Sequence, residues 1–203
     1  MNYYVGIDPS ISNSGVVVLD HGGEIISAIE PTKEIKKLKH TKKILKHPIL
    51  RYKTISEYIQ DHLNDLWDAS YLRHGITFII GYEDYSFDST NKSFTMGEFG
   101  GVLKVAIVDM APLVQLYYVP PTTLKLFATG NGGATKEMMV AQYNNDHPKN
   151  TMDSHDLVDA YYLAEIAGYI DKEFPKKNNI TPLTRHKLEV VKALGSPKPI
   201  CNS

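Results

Sequence analysis

Cysteine is nearly absent from this 203-residue chain: the one thiol, Cys201, stands third from the end. An internal disulfide and a cysteine-based zinc site are thereby excluded, and a reducing compartment is consistent with that usage. Long apolar runs are missing too. No stretch of 18 uninterrupted apolar residues occurs, and the opening "MNYYVGID" has neither a basic n-region nor a long apolar h-region. The expectation is a soluble, unsecreted cytoplasmic protein with no membrane partner. No internal repeat or low-complexity tract is present. At 42% hydrophobic and 22% charged, the chain suits one globular domain with a proper core.

Acidic residues are scarce in one place. The net charge of -1 hides a segment, 33 to 53, "KEIKKLKHTKKILKHPILRYK", with nine of the 22 Lys+Arg and one of the 23 Asp+Glu. A local excess of that size attracts a polyanion, and phosphate contacts supply most non-specific nucleic-acid affinity. Lys36, Lys37, Lys39, Lys42 and Lys43 are the candidate DNA contacts. The bland alternative is a solvated face that aids solubility, but acids interleaved for i,i+4 pairing are lacking.

Three β-rich runs open the chain, at 3 to 8, 15 to 20 and 24 to 30, separated by "PSISNSG" and "HGG". They predict a meander. Beyond the basic segment, Ile55, Tyr58, Ile59, His62, Leu63 and Leu66 keep helical spacing. Residues 76 to 83, "ITFIIGYE", are too short for a helix and rich enough in β-branched residues for a buried strand. A helix follows over 93 to 110, where Gly97, Gly100 and Gly101 allow another element to approach closely. A fifth strand is predicted at 114 to 119, then a short helix after Pro121, a glycine turn, a helix with Thr135 near its start, and a last core helix in "DSHDLVDAYYLAEIA".

The expected fold class is therefore α/β, a mixed five-stranded sheet with helices on both faces. Residues 1–174 form the domain, including the basic segment 31–53; residues 175–203, rich in Pro and Lys, read as a C-terminal appendage with a helical turn or two around Leu188 and Val191.

On the last core helix, positions 156, 159, 160, 163, 167 and 170 share a face, so Asp156 and Asp159 head an apolar stripe. Acids favour a helix's first turn, where each contributes ~0.3 to 1 kcal/mol. Capping explains Asp153, and Ser154 besides, but a capping acid can point to water, whereas Asp156 and Asp159 lie in line with buried residues. His155 points off that stripe.

Asp8 ends the first strand and Glu83 the fourth. If those strands are parallel neighbours, both acids emerge at one carboxyl edge, and the stripe packed on the sheet brings Asp156 and Asp159 to them. Four carboxylates so close cannot all be ionised without cations. Oxygen-only ligands suit Mg²⁺, with Mn²⁺ as a substitute, and two such ions about 4 Å apart are a recurrent apparatus for displacement at phosphorus.

The set "GIDPS...SG", "IIGYE", "PTTLKLFATGNGGATKEMM" and "HDLVDAYYLA" resembles the RuvC-type Holliday junction resolvases of the ribonuclease H-like superfamily, over about residues 3 to 168. The most specific part is Lys-x-x-x-x-Gly-x-Gly-x-x-x-Lys, in which Lys125 and Lys136 flank Gly130 and Gly132. The resemblance implies a hydrolase of DNA recombination and repair, a crossover junction endodeoxyribonuclease. Asp8, Glu83, Asp156 and Asp159 would be its catalytic acids and hold two Mg²⁺ ions, with Lys125 and Lys136 near the scissile phosphate. It further implies a homodimer paired through the helix at 94 to 110, each subunit nicking one of two opposed strands of a four-way junction, in a bacterial or phage-infected cell.

Relatives place an aromatic three residues after the glutamate; here that position is Ser86, flanked by Tyr85 and Phe87, either of which could stack on a base or lie in the core. Lys92, in the loop 88 to 95, is a further candidate DNA contact.

Other functions fit less well. "GNGGATK" lacks the G-x-x-x-x-G-K-[ST] spacing of a nucleotide phosphate loop. "GIDPSISNSG" also resembles the first phosphate loop of actin-like ATPases, which need two lobes where this chain has room for one. A broader branched-DNA, flap or RNA–DNA hybrid nuclease of the same superfamily remains the serious alternative. A non-catalytic junction-binding protein would have little reason to keep four acids and two lysines.

Overall fold

Nearly continuous apolar runs in the central strands build a sheet buried on both sides. The computed structural model describes residues 2–38, 41, 44–69, 77–84, 93–110, 114–171 and 184–194. β1 (Asn2–Asp8), β2 (Gly15–Leu19) and β3 (Ile25–Ile29) form the antiparallel meander, and β4 (Thr77–Glu83) and β5 (Val114–Val119) add to it in parallel, in the order β3-β2-β1-β4-β5. The five-stranded mixed sheet and the pairing of strands one and four are as expected.

One face of the sheet presents Val5, Ile7, Val16, Val18, Phe78, Ile80, Tyr82, Val114 and Leu116. Against it lie α1 (Pro31–Lys37), α2 (Pro48–Ala69) and α3 (Ser93–Val108), through Ile35, Tyr52, Ile55, Ile59, Leu63, Phe99, Leu103 and Ile107. The opposite face, with Tyr4, Val17, Leu19, Ile79, Tyr117 and Val119, is covered by α4 (Pro121–Thr129), α5 (Lys136–Asp146), α6 (His155–Ile170) and α7 (Arg185–Leu194).

How α6 seats on the sheet decides where its acids go. A Cβ on Gly6 would lie 1.7 Å from the Ala160 carbonyl oxygen, one on Gly15 2.1 Å from that of Asp156, and one on Gly81 2.2 Å from that of Leu163. The helix backbone therefore rests directly on β1, β2 and β4, at a separation that any side chain would forbid.

Gly97 and Gly101 leave open space on α3: a Cβ on either would meet nothing within 4 Å, so among the described residues of this chain no element makes the close approach that these glycines allow. The reason is the helix phase: Phe99, Leu103 and Ile107 turn to the sheet, which leaves Phe94, Gly97, Gly101 and Val105 in a row on the outer side. Phe94 is 80% exposed and Val105 62%. Ser154 does occupy the cap position of α6, but its hydroxyl donates to Glu30 Oε1 (2.7 Å) rather than capping the helix. The basic segment, given no structure from its pattern, contains α1 and a 3₁₀ turn at Ile44–Lys46.

Within the stretch described as an appendage, α7 spans ten residues. It is joined to the core by buried Val190 and by Lys187, whose ammonium pairs with Glu165 Oε2 at 3.1 Å and lies 4.7 Å from the Phe127 ring centroid. Among the described residues no helix is long and apolar enough to cross a membrane.

Candidate active site

Sheet register brings the first two acids together. Ile7 pairs with Tyr82, so the next residue on each parallel strand, Asp8 or Glu83, leaves the sheet at the same edge. There the two carboxyl groups lie close enough to influence each other's charge. Burial, followed by the negative charges of Glu83, Asp159 and Asp156, pushes Asp8 well above the usual carboxylate range. Burial also raises Glu83, against the lowering effect of the Asp8 hydrogen bond and of the Lys136 and Lys125 charges.

The seating of α6 supplies the second pair. Asp159 is buried, and it is pushed up to about 7, by burial first and then by Glu83 and Asp156, with Lys136 and Lys125 opposing. Asp156 is one turn nearer the helix start. One of its oxygens, Oδ1, lies 3.8 Å from Lys136 Nζ, and the other accepts from Asn13 Nδ2.

Lys125 lies on α4, and Lys136 owes its position to the glycine turn that follows. Gly130, at φ 76, ends α4 with its N–H on Leu126 O, a conformation that disfavours a side chain. A Cβ on Gly132 would lie 3.2 Å from Thr122 O, so the turn folds back on the start of α4. Thr135 then caps α5 by accepting from the Met138 N–H at 3.3 Å, placing Lys136 in the first turn beside Asp156.

Asp8, Glu83, Asp156 and Asp159 thus come together at this edge with Lys136, and Lys125 acts through its charge on Glu83 and Asp159. Of the candidate DNA contacts, Lys36 and Lys37 are exposed on α1, and Lys36 Nζ reaches Ser12 O at 3.4 Å. Arg51 Nη2 donates to Ile11 O at 3.0 Å. The basic segment is therefore fastened to the loop that follows Asp8. Lys39, Lys42, Lys43, Tyr85, Phe87 and Lys92 lie outside the described residues.

Sequence reasoning missed a second layer around Asp156. Glu30, between β3 and α1, accepts at Oε1 from Lys33 Nζ (2.5 Å), Ser154 Oγ (2.7 Å) and Asn13 Nδ2 (3.3 Å). Burial would raise its carboxyl, but those hydrogen bonds and the Lys33 charge outweigh it and hold Glu30 below the ordinary value. A polar residue directly after a strand was the one available signal, and it does not distinguish this network from a solvated turn.

The donor set has the chemistry of a hard-cation site: oxygen atoms only, on carboxyl groups of which Asp8, Glu83 and Asp159 are raised by burial first and by neighbouring carboxylates after it. Among the described residues no three His, Cys, Asp or Glu side chains already form a ligand cage.

No family model matches the chain, and no curated protein matches it in sequence. Solved structures do. A structure of Thermus thermophilus RuvC superposes with a TM-score of 0.53 at 20% identity, covering 80% of this chain and 90% of that one. T. thermophilus RuvC in complex with Holliday junction substrate gives 0.54 at 18% identity with the same coverage. The chain has the RuvC-like variant of the ribonuclease H-like fold.

Proposed function

We propose that this protein is a divalent-cation-dependent endonuclease that resolves four-way DNA junctions by paired hydrolytic nicks. The observation that carries the proposal is the convergence of Asp8, Glu83, Asp156 and Asp159 with Lys125 and Lys136 at one sheet edge. The RuvC-like fold supports it, as does the junction bound by the Thermus protein of the same fold.

Asp8, Glu83, Asp156 and Asp159 would hold the metal ions. Two Mg²⁺ bound there would supply an activated water and stabilise the leaving oxygen. Lys136 and Lys125, whose charges already act on Glu83 and Asp159, stand where negative charge grows on a phosphate brought to the edge. Burial of Asp8 and Asp159 keeps bulk water from competing for their oxygens. On the side of Asp8, α1 presents Lys36 and Lys37 for the DNA backbone, which fixes register without reading sequence.

The working unit in this proposal is a homodimer. The outer row of α3, with Phe94, Val105 and the open Gly97 and Gly101, is an apolar surface with room for a second copy's helix backbone. Two copies would present two sites to two opposed strands.

One assay separates this function from the broader nucleases: cleavage of four-way junction, flap, RNA–DNA hybrid and linear duplex, each with Mg²⁺ or with EDTA. Preferential nicking of the junction in Mg²⁺ alone is the expected result. Activity that survives EDTA, or equal cutting of plain duplex, contradicts the proposal.

A further inference from the structure

Among the described residues, Asp156 is the one of the four acids that a side-chain amide holds. Asn13 Nδ2 donates to Asp156 Oδ2 and lies 3.3 Å from Glu30 Oε1. With a carboxylate on each side, only the NH₂ end of the amide can face them, because the carbonyl end would place a third acceptor among acceptors. Glu30 thus sets which way the Asn13 amide points. Glu30 is itself fixed from two further segments, by Lys33 on α1 and by Ser154 at the start of α6. Asn13 and Glu30 are 17 residues apart, and Asn13 and Asp156 are 143 apart, so the network spans the loop after β1, the end of β3 and the helix that carries the acids. The Asn13 loop is tethered in turn, by Arg51 to Ile11 O and by Lys36 to Ser12 O.

We propose that Asn13 and Glu30 are positioning residues for Asp156: Glu30 orients the Asn13 amide, and the amide holds one Asp156 oxygen so that the carboxylate meets an incoming divalent cation in one orientation. Outer groups that hydrogen-bond ligating carboxylates typically change metal affinity by about 10- to 100-fold when removed. This inference rests on the carboxyl edge being a cation site. It does not depend on which DNA is cut.

The competing account is a staple: Glu30, Ser154 and Asn13 would only fasten the start of α6 to the sheet. A staple lowers melting temperature and leaves cation affinity alone. Positioning does the opposite.

The test is calorimetric titration of the full-length protein with Mn²⁺ in the absence of DNA, with the Mn²⁺ electron paramagnetic resonance line shape as a second readout. Asn13→Ala is expected to weaken Mn²⁺ binding about tenfold and broaden the line shape. Glu30→Gln, which keeps the shape and lacks the charge that orients the amide, is expected to weaken it less, by roughly threefold, and it carries the test if Asn13→Ala fails to fold. Wild-type affinity in Glu30→Gln and in a folded Asn13→Ala overturns the proposal, whatever their melting temperatures. If the wild type binds Mn²⁺ but does not nick junctions, the substrate assignment fails and the positioning proposal is still decided by the two variants. If the wild type binds no Mn²⁺, both fail.

Discussion

Helices α6 and α3 are the same length, 16 residues each, and both are apolar almost all the way round, yet the chain treats them oppositely. It seals α6. Val158, Ala160, Leu163, Ala164, Ile166 and Ala167 are all fully buried, and Gly6, Gly15 and Gly81 let the helix backbone lie on three strands. Only half of α3 is sealed, and Phe94 and Val105 face outward beside two glycines with open space above them. A helix apolar on all sides needs cover on all sides. For α6 the cover is the chain itself, which fixes the two acids it carries. For α3 the missing cover is supplied, in the proposed homodimer, by a second copy.

If α6 is the rigid carrier of the site, Asp159→Asn should abolish cleavage, by roughly a thousandfold or more, since several kcal/mol of transition-state stabilisation would go with a metal ligand. Junction binding, measured by gel shift, should survive. Loss of binding together with cleavage would mean that Asp159 supports the fold instead. The glycines give the sharpest contrast between the helices. Gly6→Ala puts a methyl into the Ala160 carbonyl and should cost about 3 kcal/mol or more in urea unfolding. Gly101→Ala, with nothing near it, should leave the unfolding free energy within about 0.5 kcal/mol. Equal effects would erase the distinction.

The outer row of α3 is probed by Val105→Asp, expected to weaken self-association about tenfold or more in analytical ultracentrifugation while monomer unfolding is unchanged. An unaltered association state would remove α3 from the dimer proposal. A smaller effect tests the charge carried by α6. Asp159, at about 7 in the folded protein and near 3.8 when unfolded, binds its proton more tightly folded. Its contribution to stability is fully present below about pH 4 and is lost as pH rises through 7. In EDTA, therefore, melting temperature should fall between pH 5 and pH 7.5, and Asp159→Asn should fall less over the same interval. An identical pH slope in the variant would contradict the burial of an acid on α6. Smallest of all, neutralising Lys36 and Lys37 should reduce the salt slope of junction binding by about two. An unchanged slope would make the basic segment a solvated face.

The features legible in the sequence were those with a short-range code. Short, nearly continuous apolar runs marked β1, β2 and β4 as buried strands, and acids at two strand ends became neighbours once the crossover made β1 and β4 parallel. The Lys125–Lys136 spacing survived because one turn and one cap, Gly130 and Thr135, hold it. Illegible were relations that exist only across the fold. Gly97 and Gly101 look the same in sequence whether they touch a neighbour or face open space, and helix phase decided it. Ser154 has the composition of a cap, and only the arrival of Glu30, 124 residues away, diverted its hydroxyl. Asn13 lies inside "GIDPSISNSG", but nothing in that stretch shows its contacts with Glu30 and Asp156, which exist only across the fold.

The most direct measurement is single-turnover cleavage of a synthetic four-way junction with each strand labelled in turn, in Mg²⁺ and in EDTA. The account predicts nicks at symmetric positions in two opposed strands, in Mg²⁺ only, and none with Asp159→Asn. Nicks in EDTA, or in Asp159→Asn at the wild-type rate, would contradict it.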